Sequence, residues 1–238
     1  MEHEHSPTAI EQRLARGPQH SYLRDWIYGG IDGSVTTFAV VSGVSGARLS
    51  SWIILVMGFA NLFADGFSMA ASNYLGTKAE HEDRERLEAV ENRHIDTVPE
   101  GEREEVRQIF RQKGFVGEDL QRIVQLITAD RNRWVRTMLT EEYGLPSEIR
   151  SPWVAALSTF SSFFVCGLIP LLPYLFQYTR AFELSLIATG AVFFAIGSAK
   201  SRWSTASWSR SGLVTLFVGA IAAGLAYAAG VILRTLAD

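Results

Sequence analysis

Apolar residues fall into five long runs along the chain, separated by polar segments. The runs comprise residues 26–47, 49–77, 151–179, 184–199 and 211–233. A helix needs about 20 predominantly apolar residues to cross the hydrocarbon core of a bilayer. The fourth run has only 16 uncharged residues, but it reaches 19 when it begins at Ala181 and includes Glu183 near the interface. The pattern therefore predicts an all-α protein with five transmembrane helices.

Between the second and third runs lies a segment with a different pattern, residues 78–150. It holds 17 of the chain's 25 acidic residues, yet apolar residues recur in it at helical spacing. Such periodicity predicts helices rather than disorder. Pro99 is well placed to open a helix that ends near Gly114, and further helices are expected after Gly117 and over residues 130–143. We predict a small helical domain inserted between transmembrane helices two and three.

The predicted organisation therefore has four parts. They are a polar N-terminal arm (1–21), transmembrane helices one and two (22–77), a cytoplasmic helical domain (78–150) and transmembrane helices three to five (151–238). Positive charge in short loops marks the cytoplasmic side of a membrane. The N-terminal region and the loop between helices four and five each carry three basic residues, whereas the loops after helices one and three carry one each. The N-terminus and the inserted domain are expected in the cytoplasm, and the C-terminus on the opposite side.

Two carboxylates, Asp32 and Asp65, are the only charged residues in the first two apolar runs. An ionised side chain in hydrocarbon costs roughly 3 kcal/mol, so such residues usually coordinate ions, relay protons or form buried pairs. Gly29, Gly30 and Gly33 surround Asp32. Small residues let helix backbones approach closely in lipid. We expect the first helix to pack against a neighbour with Asp32 facing an internal path.

The second run places potential ligands on one helical face. Met57, Asn61, Asp65 and Met69 follow one another at intervals of four residues, and residues four apart lie on the same side of a helix. Carboxylate, amide and thioether donors together suit a borderline cation such as Fe²⁺ better than Mg²⁺ or Ca²⁺. Alternatively, the methionines only pack against lipid or a neighbouring helix. We predict a transport path along Asp32, Asn61, Asp65 and Met69.

Three pairs of potential metal ligands lie three or four residues apart in the charged segment. They are Glu91 with His94, Glu102 with Glu105, and Met138 with Glu142. Helical bundles build iron and manganese sites from Glu-x-x-His pairs and glutamates on neighbouring helices. Any one pair is also what a solvated helix face produces by chance. Three pairs within one small domain, next to carboxylate-bearing membrane helices, favour a metal-binding domain.

These features resemble the vacuolar iron transporter family, over nearly the whole chain from Tyr22 onward. The most specific elements are Asp32-Gly33, the segment from Asn61 to Met69, and the Pro-rich segment 167–174. The resemblance implies a divalent-metal/proton antiporter with five membrane helices and an acidic helical domain between the second and third. It further implies a homodimer with its path between the two first helices, and metal handled by Asp32 and Met69.

The resemblance also assigns roles within the charged domain and marks departures from the family. Positions of family metal ligands are occupied here by Glu91, Glu102, Glu105, Met138 and Glu142. His94 and Asn61 stand where plant-type members have glutamates, Leu139 stands where they have a second methionine, and Asp65 stands where they have glycine. The carboxylate of the second transmembrane helix is thus displaced by one helical turn relative to its position in plant-type members. Metal preference between iron and manganese is left open by these departures.

Composition excludes other classes. The single cysteine, Cys166, rules out an internal disulfide or a cysteine-rich zinc site. No Gly-x-x-x-x-Gly-Lys-Ser/Thr motif indicates ATP hydrolysis. We expect no enzymatic activity, no tightly bound cofactor and no nucleic-acid partner. The polar N-terminal residues do not form a signal peptide, which favours a bacterial inner membrane, or a vacuolar membrane in a eukaryote.

The expected function is export of Fe²⁺, with Mn²⁺ as a second cargo, from the cytoplasm by proton antiport. Protons and metal compete for the same carboxylates, and this competition couples their movements. The alternatives are a membrane-anchored, carboxylate-rich iron-binding or storage-type protein without transport, and a structural membrane protein with a buried Asp pair. A simple anchor needs neither Asp32 nor Asp65, which favours transport.

Overall fold

The computed structural model describes residues 6–15, 21–146, 150–203 and 205–237, and in these residues all regular secondary structure is helical. The α-helices are α1 (Pro7–Ala15), α2 (Leu23–Gly46), α3 (Ser51–Thr97), α4 (Pro99–Gln112), α5 (Gly117–Thr128), α6 (Arg131–Glu141), α7 (Pro152–Leu168), α8 (Leu172–Leu175), α9 (Ala181–Lys200) and α10 (Trp208–Ala237). Two 3₁₀ turns, Ile169–Leu171 and Ser201–Trp203, connect α7 to α8 and follow α9. The all-α prediction is confirmed.

The chain forms two compact units. One is built from His20–Leu75 and Pro152–Asp238, and we call it the membrane unit; the other contains α1 and Gly76–Ser151, and we call it the inserted unit. The division falls within α3, which continues without a break from one apolar run into the charged segment. The domain boundaries after residues 77 and 150 stay predictions.

Four helical segments in the described part of the chain are long and apolar enough to cross a membrane. They are Ser51–Thr97, Pro152–Leu175, Ala181–Lys200 and Trp208–Leu236. The chain is therefore a multi-pass membrane protein, with four of the five predicted membrane helices supported by length and composition. Helix α2 has 24 residues but includes Arg24, Asp25 and Asp32 among many small polar residues, and it is not one of the four.

Helix α2 lies at the centre of the membrane unit, where it packs against α7, α9 and α10. The contact with α7 is backbone to backbone. A Cβ atom added at Gly29 would collide with the carbonyl oxygen of Thr159, and one at Gly33 would collide with that of Phe163. In return, a Cβ at Gly167 would lie 2.7 Å from the carbonyl oxygen of Gly33. The glycines of the first apolar run are thus required by close helix packing, as predicted.

This contact yields a stability prediction. Gly33→Ala should lower the free energy of unfolding by about 1–3 kcal/mol, because the added methyl group meets the rigid backbone of α7. Thermal unfolding of the purified protein in detergent measures the effect. Gly224→Ala on α10 is the matched control, since a Cβ there meets nothing within 4 Å. Equal melting temperatures for the two variants would contradict the packing argument.

The Pro-rich segment interrupts Pro152–Leu175, one of the four helical segments long enough to cross a membrane. Helix α7 ends at Leu168, the 3₁₀ turn contains Pro170, and Pro173 lies in the short helix α8. Both prolines are buried. Irregular backbone at membrane depth requires replacement hydrogen bonds, and the Ser185 hydroxyl of α9 donates one to the Pro170 carbonyl oxygen at 2.7 Å.

The inserted unit has an apolar core of its own. Its buried members are Ile95, Val106, Leu120, Val124, Ile127, Trp134, Val135, Met138 and Leu139. Pro99 begins α4, and Gly114 in the following turn and Gly117 at the start of α5 have positive φ angles, so the predicted helix boundaries are accurate here. The Asp130 carboxylate caps α6 by accepting a hydrogen bond from the Arg133 amide at 2.7 Å.

Candidate functional sites

Two buried carboxyl groups form the centre of the inserted unit's acidic cluster. Glu91 on α3 is 1% exposed and Glu102 on α4 is 4% exposed. The two carboxyl groups lie close enough for the charge of Glu91 to raise the pKa of Glu102. The Oε2 atom of each is buried without a hydrogen-bond partner among the described residues. Buried acceptors without partners are costly, so these two oxygens are available to an additional ligand.

His94 and Tyr143 complete the polar contacts of this pair. The His94 Nδ1 atom lies 3.3 Å from Glu102 Oε1 and 3.9 Å from Glu91 Oε1. The Tyr143 hydroxyl donates a hydrogen bond to Glu91 Oε1 at 2.9 Å. Glu91 and His94, which the spacing placed on one face of a helix, are therefore brought together with Glu102 from the next helix. The role of Tyr143 was not predicted, because an aromatic residue after α6 is indistinguishable in the sequence from the apolar core positions.

Burial and mutual repulsion keep the cluster partly protonated. Burial raises the pKa of Glu102 to about 7, and the charges of Glu91 and Glu105 act in the same direction. Burial also raises the pKa of Glu142, together with the charges of Glu105 and Glu91. Four predicted ligands, Glu91, Glu102, Glu105 and Glu142, are thus close enough to affect one another electrostatically.

Met138, the remaining predicted ligand of this unit, packs in the apolar core and not with the acidic cluster. Its side chain is fully buried in the apolar core beside Trp134 and Leu139. Within the described residues, no group of three or more His, Cys, Asp or Glu side chains is already arranged to hold a metal ion. Glu91 instead accepts a hydrogen bond from Tyr143, and Glu102 lies against His94, so a bound cation would replace these contacts.

The carboxylates of the membrane unit lie near each other on neighbouring helices. Asp32 on α2 is half-buried and Asp65 on α3 is exposed, and the charge of Asp65 acts on Asp32. Between the helices, the Asn61 side-chain amide donates to the Thr36 hydroxyl at 3.2 Å. The Thr36 hydroxyl in turn donates to the backbone carbonyl oxygen of Asp32 at 2.9 Å. Asn61 therefore connects the two carboxylate-bearing helices at the level of Asp32.

Met57 and Met69 on α3 differ in their environment. Met69 is half-buried and packs against the apolar core of the membrane unit. Met57 is 49% exposed, which agrees with the alternative that it packs against lipid. On this face of α3, Asn61 thus contacts α2, Asp65 is exposed, and Met69 packs against the apolar core.

A buried polar network near the start of α2 was not predicted. Asp25 is 6% exposed. The Asn73 side-chain amide donates to Asp25 Oδ1 at 3.0 Å, to the Thr159 hydroxyl at 2.8 Å and to the Ala155 carbonyl oxygen at 3.2 Å. The network joins α2, α3 and α7. The available signal was the position of Asn73, which continues the four-residue stripe of α3 one turn beyond Met69.

The four long apolar helices define the chain as an integral, multi-pass membrane protein, and the carboxylates of Asp32 and Asp65 lie on neighbouring helices of its membrane unit. The sequence profile of the VIT family matches residues 23–231, which is most of the chain. The protein belongs to the VIT family, whose members are transporters and not enzymes.

Individual relatives agree with this assignment. Vacuolar iron transporter 2 of Oryza sativa subsp. japonica is 33% identical over 208 residues, covering 86% of this chain and 85% of the relative. The vacuolar iron transporter of Centaurea cyanus is 34% identical over 222 residues, covering 90% and 91%. Vacuolar iron transporter 1 of Arabidopsis thaliana is 34% identical over 210 residues, covering 86% and 83%. The resemblance seen in the sequence is confirmed.

Proposed function

We propose that the protein moves Fe²⁺, and Mn²⁺ as a second cargo, out of the cytoplasm by proton antiport. The observation that carries this proposal is the proximity of Asp32 and Asp65 on neighbouring helices of the membrane unit. Two carboxylates in a membrane are expensive unless they bind cations or protons. The relatives at 33–34% identity are named vacuolar iron transporters, which supports iron as the cargo.

Helix α2 is proposed as the fifth membrane helix. At 24 residues it is long enough to cross the hydrocarbon core. Its small and polar residues, including Gly29, Gly33, Ser34 and Thr37, are buried against other helices and not presented to lipid. A helix enclosed by protein needs less apolar character than one that faces lipid. Five helices, together with the basic N-terminal region, support a cytoplasmic N-terminus and a C-terminus on the opposite side.

A homodimer is proposed because one chain leaves Asp65 exposed. Its neighbours Phe63 and Phe67 on α3 are 58% and 70% exposed, so this surface is otherwise apolar. An ionised carboxylate on a lipid-facing surface is disfavoured, whereas a second copy would enclose it. The metal path would then run between the two copies of α2, with Asp32, Asn61, Asp65 and Met69 of each chain along it.

The acidic cluster is proposed to collect metal before transport. The partnerless oxygens of Glu91 and Glu102, with His94 beside them and Glu105 and Glu142 nearby, provide oxygen and nitrogen donors for Fe²⁺ or Mn²⁺. Met138 is proposed as a soft donor that reaches the cluster when its side chain leaves the core. Metal binding would displace the proton that the raised pKa of Glu102 retains near neutral pH. Loading of the cluster would therefore become stronger as pH rises.

Sealed vesicles containing the purified protein test the function. We expect Fe²⁺ to enter the lumen when the lumen is acidic and protons to leave it at the same time. An ionophore that collapses the pH gradient should stop uptake. Empty vesicles are the control. Metal that binds to the protein without reaching the lumen would instead indicate the iron-binding or storage-type alternative.

The choice of metal at Met69 provides a sharper test. Met69→Ala removes a thioether, which favours softer cations, and should reduce Fe²⁺ flux several-fold more than Mn²⁺ flux. Met57→Ala is the matched control, because this methionine lies two turns before Asp65 on the same helix and is 49% exposed. Competition between the two ions in the same vesicles measures the effect. An equal loss for both ions would mean that Met69 shapes the path without selecting the metal.

A further inference from the structure

Each of the two buried carboxyl groups of the acidic cluster has one oxygen in polar contact and one without a partner. Glu91 Oε1 accepts the hydrogen bond from the Tyr143 hydroxyl at 2.9 Å, and Glu102 Oε1 lies 3.3 Å from His94 Nδ1. The Oε2 atom of each is buried and has no hydrogen-bond partner among the described residues. A cation that binds this pair would therefore meet one free oxygen on each carboxylate.

The position of Tyr143 is determined by the way in which α6 ends. The Tyr143 amide donates to the Met138 carbonyl oxygen at 3.4 Å, and the Leu145 amide donates to that of Leu139 at 3.0 Å. Between them, Gly144 has a φ of 66°, which glycine adopts without strain. The Tyr143 ring packs against the apolar core of the inserted unit. The backbone turn and the core thus hold the hydroxyl in place without the help of a bound metal.

The hydrogen bond from Tyr143 decides how many oxygens Glu91 can offer to a cation. Glu91 is 1% exposed, so solvent cannot readily replace this bond. Without the hydroxyl, Glu91 Oε1 would keep His94 Nδ1 at 3.9 Å, which is beyond hydrogen-bond distance. A buried acceptor in that state is costly, and a cation that bound both oxygens would satisfy it. With the hydroxyl present, Oε1 is already occupied.

We propose that Tyr143 is a positioning residue that restricts Glu91 to a single metal-binding oxygen, Oε2, and thereby selects against Ca²⁺. Ca²⁺ takes about six to eight oxygen ligands, and carboxylates often bind it through both oxygens. A carboxylate with one oxygen held by a hydrogen bond cannot bind in this way. Fe²⁺ and Mn²⁺ are smaller and need fewer ligands, so they lose less from this restriction. The inference rests on the proposed role of the cluster in collecting metal.

Tyr143→Phe tests the proposal, because it removes the hydroxyl and keeps the ring that packs against the core. Calorimetric titration of the full-length protein in detergent, at one pH, gives the dissociation constants for Mn²⁺ and Ca²⁺. Removal of a hydrogen-bond partner of a metal ligand typically changes metal affinity by about 10- to 100-fold. We therefore expect the ratio of the Ca²⁺ to the Mn²⁺ dissociation constant to fall by about tenfold or more. Thr137→Val is the matched control, since its hydroxyl on α6 bonds to the Arg133 carbonyl oxygen of the same helix, and it should keep the ratio.

Infrared spectroscopy adds a measurement that a merely structural role would not change. The splitting between the antisymmetric and symmetric carboxylate stretches is larger when a cation binds one oxygen than when it binds both. We expect the difference spectrum between Ca²⁺-loaded and metal-free Tyr143→Phe to contain a carboxylate band pair with the smaller splitting. The unaltered protein and Thr137→Val should lack this band pair. Its absence from Tyr143→Phe, or its presence in the unaltered protein, would overturn the proposal.

The remaining outcomes separate this proposal from the proposed function. An unchanged ratio in Tyr143→Phe, or an equal loss of affinity for both ions, would overturn the role of Tyr143, since equal losses indicate only a destabilised cluster. Mn²⁺ binding that Glu102→Gln leaves unchanged would overturn both this role and the collecting role of the cluster. A shifted ratio without metal flux into vesicles would count against transport alone. Normal flux with an unchanged ratio would count against the role of Tyr143 alone.

Discussion

Asp32→Ala and Asp65→Ala should each reduce metal flux into sealed vesicles by about a hundredfold or more, which corresponds to a loss of about 3 kcal/mol at the rate-limiting step. Each variant removes a carboxylate that the proposed path uses for both metal and protons. Membrane insertion should be unaffected, since removing a charge from hydrocarbon does not oppose insertion. The measurement is the initial rate of Fe²⁺ uptake with an acidic lumen, normalised to the amount of inserted protein.

The matched control for these variants is Glu183→Ala. Glu183 is an acidic residue in the first turn of α9, within the same unit but outside the proposed path. It should transport at close to the normal rate. Normal flux in both aspartate variants would show that the path assignment is wrong. Loss in one variant alone would restrict the path to the helix that carries the affected residue.

The second large effect concerns the stability of the inserted unit. The pKa of Glu102 is raised from 4.5 to about 7 in the folded protein, so between these values the folded state binds more protons than the unfolded state. Stability then falls as pH rises. The metal-free unit should lose on the order of 2–3 kcal/mol across this pH range relative to the Glu102→Gln variant, which cannot ionise. Urea unfolding of the full-length protein, followed by circular dichroism, measures the difference.

Bound metal should reverse the dependence of the inserted unit's stability on pH. Because Fe²⁺ or Mn²⁺ binds the deprotonated carboxylate, saturating metal should make the inserted unit more stable as pH rises through 7. The same pH series with and without Mn²⁺ tests this point. Parallel curves for the unaltered protein and Glu102→Gln would show that Glu102 does not titrate as its burial requires. Identical curves with and without Mn²⁺ would remove the metal-binding role of the cluster.

The helical architecture was predictable because it depends on local pattern. Apolar runs, the proline at position 99 and the glycine turn at 114 determine helices and their ends through short-range chemistry. Helix α2 is the exception among the long helices of the membrane unit. Its length was predicted, but its composition is too polar for a lipid-exposed helix. The helix can be this polar because α7, α9 and α10 bury it. Such burial cannot be predicted from the local sequence pattern.

Of the candidate sites, only the pairs of ligands within one helix were predictable from their spacing. Glu91 and His94 are paired by the helix itself, but their contact with Glu102 depends on the turn from α3 into α4. The four-residue spacing of Met138 and Glu142 fits a pair of metal ligands, but it also fits a core residue next to a surface residue. Met138 is in fact fully buried in the core. The sequence around Asp25 did not indicate that this carboxylate is buried, because its partner Asn73 lies 48 residues away.

The glycine contact between α2 and α7 limits how the membrane unit can move. Side chains at an ordinary helix interface can change rotamer and allow one helix to slide past the other. Gly29 and Gly33 leave no side chain to adjust, and the α7 carbonyl groups occupy the space where a Cβ would be. The two helices must therefore travel as one rigid pair. Any alternation of access around Asp32 would have to occur at the other boundaries of α2, and not along α7.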